Sequence, residues 1–215
     1  LQPGWPHAHS ALDRLYALGV DAYRFSISWP RACPGRRPDD RDGRQDILER
    51  AMAEAERRYP GLEFAGSRNG YFKPDDVPGI VDAIRAMDAA NVQDLVLDLR
   101  YNGGGLLAVA SQLGYMVAGP SQTSGRAFER LRFNAAAGNV NPVTGEFNDP
   151  IPFYSTGVGF TVSNGTPLPT LNFNRVFILT TDATCSASES VINALRGVFV
   201  DVVLIGQKTC GQPFG

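Results

Sequence analysis

The chain has 215 residues, of which 43% are hydrophobic and 20% are charged, with 20 basic against 22 acidic side chains. This is the composition of a soluble globular protein, and the length is ample for a buried core. The near balance of charge argues against a nucleic-acid-binding protein, which needs a clustered excess of Lys and Arg. The longest apolar stretches are strand-sized, far below the roughly 20 residues of a membrane helix. We therefore expect no membrane span.

Two stretches of different character precede the main part of the chain. Residues 1–31 hold a short helical pattern at Ala11–Leu18 and a strand-like alternation at Ala22–Ser28. Residues 32–45 are rich in proline, glycine and charge without apolar periodicity, which predicts a solvated linker. No basic segment followed by an apolar run opens the chain, so no targeting segment is visible, and we expect a fragment that is cut at both ends.

Residues 46–215 alternate between helical and strand patterns. Amphipathic helices are predicted at Asp46–Arg58 and from Val77 to Met87, with strand and turn at Leu62–Phe72 between them. Three later segments are near-continuous apolar runs that predict strands, and two further segments are predicted to be helices. The strands are Asp94–Leu99, Val176–Thr180 and Val202–Ile205, and the helices are Leu106–Val117 and Ser186–Arg196.

Apolar strands that alternate with helices predict parallel pairing, because the crossover helices cover a sheet that is buried on both faces. The predicted fold class is therefore α/β. The region Ala135–Pro169 is dense in Asn, Pro, Gly and Thr. We expect it to be irregular, with short antiparallel strands such as Phe153–Val162.

Cysteine and histidine offer little evidence of a metal site. Cys33, Cys185 and Cys210 are too few and too scattered for a zinc site or a disulfide framework, and we expect buried packing of each rather than a bridge. His7 and His9 are the only histidines and have no accompanying ligand cluster, which favours a solvated terminal segment. No metal or organic cofactor is implied.

The first candidate for chemistry is Asp98-Leu-Arg-Tyr-Asn-Gly-Gly-Gly105, where a strand runs through glycines into a helix. Glycine permits close backbone approach, and a helix amino end presents unpaired N–H groups to negative charge. The stretch fits a phosphate cradle, an oxyanion hole or a plain tight turn. The phosphate interpretation is weak because neither G-x-G-x-x-G nor a Gly-Lys-Ser/Thr ending is present.

The second candidate is Thr184-Cys-Ser-Ala-Ser-Glu189, at the junction of a strand and a helix. Ser186 with Glu189 three residues later fits a capping box, which needs no catalytic role. Both candidates follow parallel strands, however, and open α/β sheets place their sites at the carboxyl ends of strands. Ser186 would then be a nucleophile, with an oxyanion hole from the amide of Ala187 and one amide of Gly103, Gly104 or Gly105.

A base is missing from this arrangement. The two histidines lie outside the main domain, and the alternative is a lysine that accepts the serine proton. Lys208 is the only lysine after Lys73.

Three ordered motifs resemble those of the C-terminal processing (tail-specific) serine peptidases: Asp94–Gly105, Thr184–Arg196 and Leu204–Gly211. The resemblance runs from about residue 70 to residue 215. It implies a ClpP/crotonase-type α/β core and an extracytoplasmic serine endopeptidase with a Ser–Lys dyad, which hydrolyses extended or C-terminal polypeptide segments. By this likeness Ser186 is the nucleophile, and Ala187 and a glycine of the 103–105 turn form the oxyanion hole. The oligomeric state stays open.

One position departs from the family pattern. The residue that matches the family's catalytic lysine is Gln212, whose carboxamide has no basic nitrogen. Three explanations are open: Lys208 acts as a substitute base, the fragment lacks a partner, or the enzyme is impaired. We favour impairment because Lys208 lies at a different point of the turn. The alternative is an inactive pseudoenzyme that binds peptides with the same fold.

The front segment resembles a different family. Ala17-Leu-Gly-Val-Asp-Ala-Tyr-Arg-Phe-Ser-Ile-Ser-Trp-Pro-Arg31 is similar to an early strand of family 1 glycoside hydrolases. Their catalysis needs two carboxylates from Asn-Glu-Pro and Glu-Asn-Gly motifs, and neither motif occurs in this sequence. We therefore predict a β-glucosidase-like fragment at residues 1–31, a linker at 32–45 and a peptidase-like core at 46–215, with no glycosidase activity.

Overall fold

The computed structural model describes residues 22–26, 53, 57, 63–68, 78–100, 102–158 and 162–211. Its strands are β1 (Ala22–Ser26), β2 (Glu63–Arg68), β3 (Val96–Asp98), β4 (Ala127–Glu129), β5 (Ile151–Pro152), β6 (Arg175–Thr180) and β7 (Asp201–Gly206). Its helices are α1 (Pro78–Ala89), α2 (Leu107–Ala118), the short α3 (Pro120–Thr123) and α4 (Ala187–Gly197). None of these helices has the length and apolar character needed to cross a bilayer.

The main sheet has the strand order β2-β1-β3-β6-β7 among the described residues. All four neighbouring pairs are parallel, and the central pair aligns Leu97 of β3 with Ile178 of β6. This confirms the predicted parallel α/β sheet. Because β3, β6 and β7 run in the same direction, the segments that follow them emerge at the same edge.

The front segment contributes a strand to this sheet. β1 pairs through Tyr23 with Phe64 of β2 and through Phe25 with Val96 of β3. The helix predicted at residues 11–18 and the linker predicted at 32–45 lie outside the described residues. Of the helix predicted at 46–58, the described residues are Ala53 and Arg57, which are helical and exposed.

The strands β3 and β6 form the buried centre of the domain. Leu97 and Ile178 are 0% exposed and pack in one cluster with apolar residues of α1, α2 and α4. Val96 and Phe177 point to the opposite face by strand alternation and are buried as well. Full burial of each such side chain stabilises the fold by about 1.5–3 kcal/mol. The two strands that lead into the candidate site are therefore packed on both faces of the sheet.

The helices predicted at Val77–Met87, Leu106–Val117 and Ser186–Arg196 agree with α1, α2 and α4 to within about two residues. Pro78 is the first residue of α1, where its missing N–H costs nothing. The residues Ile80, Val81, Ile84 and Met87 are buried, as the helical spacing predicts. The helices α2 and α4 begin directly after the glycine turn and after Ser186.

The strand predicted at Phe153–Val162 is wrong for its described residues. The strand in this region is β5, which pairs antiparallel with β4, and it is followed by an isolated bridge between Thr156 and Pro167. Buried side chains of α2 bind the backbone on either side of this bridge. The Ser111 hydroxyl donates to the Pro152 carbonyl (2.6 Å) and accepts from the Tyr154 N–H (3.0 Å), and the Gln112 carboxamide accepts from the Val158 N–H (3.2 Å) and donates to its carbonyl (3.4 Å).

Leu97→Ala is expected to lower the free energy of unfolding by about 2–5 kcal/mol, because it leaves a cavity between β3 and the helices. Leu204→Ala on β7 is the matched control. That leucine is 38% exposed, and its truncation is expected to cost about 1 kcal/mol or less. Urea unfolding followed by circular dichroism measures both losses. Equal losses would contradict the central position of β3.

Candidate active site

Hydrogen bonds to main-chain carbonyls join the turn after β3 to the turn after β6. The donors all come from residues 181–188, and the acceptors are the carbonyl oxygens of residues 99, 100 and 102. The pairs are Thr184 Oγ1 to Leu99 (2.6 Å), Thr181 Oγ1 to Arg100, Cys185 N–H to Asn102 (3.1 Å) and Ser188 Oγ to Asn102 (3.1 Å). Segments that are more than 80 residues apart in sequence are thereby held in contact.

A buried ion pair shapes the start of the glycine turn. Asp98, at the end of β3, is 3% exposed. One of its carboxylate oxygens accepts from Arg100 Nε (2.9 Å) and backbone N–H (3.1 Å), and the other accepts from Arg100 Nη2 (2.7 Å). A bidentate pair of this kind fixes the orientation of the guanidinium. The Arg100 carbonyl accepts from the Thr181 hydroxyl. The ion pair therefore also stabilises the contact with the turn after β6.

Ser186 lies directly before α4 with φ 54° and ψ −124°. A serine that only caps a helix takes β-region dihedral angles. A non-glycine residue in this left-handed region costs of order 1–3 kcal/mol and persists where the surrounding structure enforces it. Such a conformation is typical of a nucleophile on a sharp turn from strand to helix. The side chain is partly exposed, so a substrate could reach it.

Gly104 lies against Ser186. A Cβ atom at Gly104 would be 2.6 Å from Ser186 Cβ, 3.0 Å from its Oγ and 3.1 Å from the Ala187 nitrogen. The φ of Gly104 is +109°, which side-chain-bearing residues rarely adopt. The structure therefore brings together three of the predicted site residues, Gly104, Ser186 and Ala187.

The backbone amides of the two turns differ in availability. Ala187 is the first residue of α4, where N–H groups have no acceptor within the helix. The Gly104 N–H donates to the Asn102 side chain (2.9 Å) and is therefore occupied. In this conformation the described hydrogen bonds leave the Gly103 and Gly105 amides as the turn's available donors.

Glu189 connects the Ser186 turn to the segment after β7, a role beyond the capping predicted from sequence. One carboxylate oxygen accepts from the Ser186 N–H (3.1 Å), which completes a capping box. The other accepts from Thr209 Oγ1 (2.7 Å) and from the Gly211 N–H (2.9 Å). The sequence signal was an acidic residue in the first turn of a helix, which indicates a cap and does not reveal the second set of contacts.

The structure corrects the expectation that the cysteines are unbridged. Cys185 and Cys210 form a disulfide, with Cα atoms 5.4 Å apart across a sequence separation of 25 residues. Sequence spacing gave no hint of it. The pairing follows from the parallel neighbours β6 and β7, whose following segments meet at one edge of the sheet. Cys33 lies outside the described residues.

Among the residues that the structure describes, no lysine or histidine is hydrogen-bonded to Ser186. Lys208 is exposed and makes no hydrogen bond to Ser186 in the described part of the chain. Gln212, the position that corresponds to the family lysine, lies outside the described residues, as do His7 and His9. No group of three or more potential metal ligands occurs among the residues that the structure describes.

The model of peptidase family S41 matches residues 71–214. The chain belongs to this family of serine-type peptidases, and this confirms the resemblance inferred for residues from about 70 to 215. The parallel-rich sheet flanked by helices agrees with the ClpP/crotonase-type fold that the resemblance implies. The likeness of the first 31 residues to glycoside hydrolases stays a prediction.

One solved structure with a similar chain is the crystal structure of a proposed S41 protease from Bacteroides fragilis NCTC 9343. The two sequences are 32% identical, the match covers 62% of this chain, and the TM-score is 0.48. The match spans only 30% of the length of that protein. No curated protein matches the chain.

Gly104→Ala is expected to lower the free energy of unfolding by about 1–3 kcal/mol, since the new methyl group collides with Ser186 and the φ is strained. Gly103→Ala is the matched control, because a Cβ at that position meets nothing within 4 Å. Thermal unfolding of the two variants measures the difference. A Gly104→Ala chain as stable as the control would contradict the close packing of the two turns.

Glu189→Gln is expected to destabilise the chain by about 1–3 kcal/mol, because a carboxamide has one acceptor oxygen where the carboxylate has two. Hydrogen exchange of the Ser186 and Gly211 amides, both donors to Glu189, should accelerate. The exposed Glu146→Gln provides the control, with no expected change at these amides. Unaltered exchange at both amides in Glu189→Gln would refute the bridging role.

Proposed function

We propose that the chain is the catalytic core of a serine endopeptidase that hydrolyses extended or C-terminal segments of polypeptides through an acyl-enzyme on Ser186. The observation that carries the proposal is the close approach of Gly104 to the strained Ser186 and to the Ala187 nitrogen at the start of α4. A plain capping serine requires neither the left-handed backbone nor a glycine packed against its hydroxyl. Membership of family S41 supports the same chemistry.

In the proposed mechanism a substrate segment docks as an extended strand beside the sheet. Ser186 Oγ attacks the carbonyl carbon of the scissile bond, and the resulting oxyanion accepts hydrogen bonds from the Ala187 amide and from a turn amide of Gly103 or Gly105. The tetrahedral intermediate collapses with loss of the amine, and water hydrolyses the acyl-enzyme. Loss of one oxyanion donor costs about 10²–10³ in rate.

The weak point of this mechanism is the proton acceptor. Gln212 stands where the family resemblance places a lysine, and Lys208 is exposed to solvent. General-base catalysis contributes roughly 10²–10⁴ in rate. We therefore propose an enzyme with strongly reduced turnover, in which Ser186 keeps its positioning and its oxyanion donors.

Gln212 also favours a second candidate, a pseudoenzyme that binds polypeptide segments without cleaving them. The two candidates share the fold and the surroundings of Ser186 and differ only in proton transfer. Peptide binding that survives Ser186→Ala, with no cleavage at any pH, would support the pseudoenzyme. Measurable turnover by the unaltered chain would exclude it.

We further propose an extracytoplasmic location. The family resemblance suggests it, and the Cys185–Cys210 disulfide supports it, because disulfides persist mainly in oxidising compartments.

A serine-directed phosphonate followed by mass spectrometry tests the enzyme directly. The expected result is a slow adduct on Ser186 that is absent in Ser186→Ala and present in Ser190→Ala, which removes a neighbouring hydroxyl in the first turn of α4. Gln212→Lys should raise the labelling rate roughly tenfold or more if the missing base is the defect. An unaltered chain and a Gln212→Lys chain that both stay unlabelled at Ser186 would exclude the endopeptidase.

A further inference from the structure

The Cys185–Cys210 disulfide lies between the nucleophile turn and the segment that follows β7. Cys185 directly precedes Ser186, and Cys210 lies two residues before position 212. Cys210 is exposed and Cys185 is half-buried. The bond is therefore open to attack from solvent, which thiol–disulfide exchange requires.

Burial does little to hold the segment after β7. The residues 207, 208, 210 and 211 are exposed, and Thr209 is half-buried. The remaining contacts with the Ser186 turn are hydrogen bonds, from the Cys210 N–H to the Thr184 carbonyl (3.1 Å) and from Thr209 and Gly211 to Glu189. Gln207 is held separately by Thr180, whose carbonyl accepts its N–H (3.0 Å) and whose hydroxyl donates to its carbonyl (2.7 Å). The hydrogen bonds of Thr209 and Gly211 to Glu189 are partly or fully exposed, so water competes with them. The disulfide is thus the covalent restraint that holds residues 208–211 against the Ser186 turn.

We propose that the Cys185–Cys210 disulfide is a thiol–disulfide exchange site whose reduction by a dithiol releases residues 208–211 from the Ser186 turn and lowers the reactivity of Ser186. The last part of this statement rests on the proposed peptidase function, whereas the release of the segment does not. The substrate class is a dithiol, either a small molecule or a protein with a pair of cysteines.

The exchange takes place in two displacement steps. A thiolate of the dithiol attacks the sulfur of Cys210, the sulfur–sulfur bond breaks, and Cys185 leaves as a thiolate that takes a proton from water. The second thiol of the reductant, as its thiolate, then attacks the mixed disulfide and releases Cys210, which is protonated in turn. The chain gains two electrons and two protons, and the dithiol is oxidised to a disulfide.

Release reaches the nucleophile through Glu189. The Ser186 N–H and the segment after β7 share the Glu189 carboxylate, so freeing Thr209 and Gly211 removes two of the contacts that orient that carboxylate. A less ordered acceptor loosens the turn that holds Ser186 in its positive-φ conformation.

The test uses the full chain with Cys33→Ser, which leaves only the two bridge cysteines, in the oxidised form and after treatment with dithiothreitol. Alkylation and mass spectrometry count free thiols in each form. Hydrogen exchange reports on the amides of Cys210 and Gly211, and phosphonate labelling reports on Ser186. Cys33→Ser/Cys185→Ser/Cys210→Ser is the comparison chain that cannot form the bridge.

Reduction is expected to accelerate exchange at the Cys210 and Gly211 amides at least about tenfold and, through looser positioning of the hydroxyl, to slow Ser186 labelling about tenfold. Reoxidation should reverse both effects. The triple variant should behave like the reduced chain, and dithiothreitol should change neither its hydrogen exchange nor its labelling. Two free thiols in the oxidised chain, or equal exchange rates in both forms, would overturn the proposal.

Faster hydrogen exchange after reduction, with no labelling of Ser186 in either form, supports the exchange site and counts against the peptidase function alone. Faster hydrogen exchange after reduction, with Ser186 labelled equally in both forms, would overturn the claim that the disulfide affects the reactivity of Ser186.

Discussion

Four hydrogen bonds to the main-chain carbonyls of residues 99, 100 and 102 hold the two halves of the candidate site together. Because the acceptors are backbone oxygens, substitution on the β3 side leaves them in place. Three of the four donors are hydroxyls, those of Thr181, Thr184 and Ser188. The contact between Gly104 and Ser186 therefore depends on small polar side chains that look unremarkable in the sequence.

The capping and nucleophile interpretations of Ser186 are compatible in the folded chain. Glu189 accepts from the Ser186 N–H, as a capping box requires. The positive φ of Ser186 is a feature that capping does not explain. The cap and the strain act together, since an amide fixed by a carboxylate prevents the turn from relaxing to an ordinary helix start.

Local sequence patterns predicted the helices, the strands and the motifs. Contacts between residues that are distant in sequence were not predicted. Periodicity located α1, and glycine and serine motifs indicated which turns would meet. The disulfide was missed because Cys185 and Cys210 become neighbours only through the pairing of β6 with β7. The strand predicted at 153–162 is reduced to the isolated bridge between Thr156 and Pro167, and the backbone next to it is bound by side chains of α2, among them Gln112 at Val158. Contacts of this kind with a helix distant in sequence leave no periodic signal.

The position of β1 has a practical consequence for shortened chains. The match to family S41 begins at residue 71, yet β1 lies between β2 and β3 in the same sheet. A chain that began at the family boundary would lack both outer strands on that side and would leave β3 with a row of unpaired amides and carbonyls. Such an open edge is a template for aggregation. Expression boundaries for this protein therefore belong upstream of Ala22.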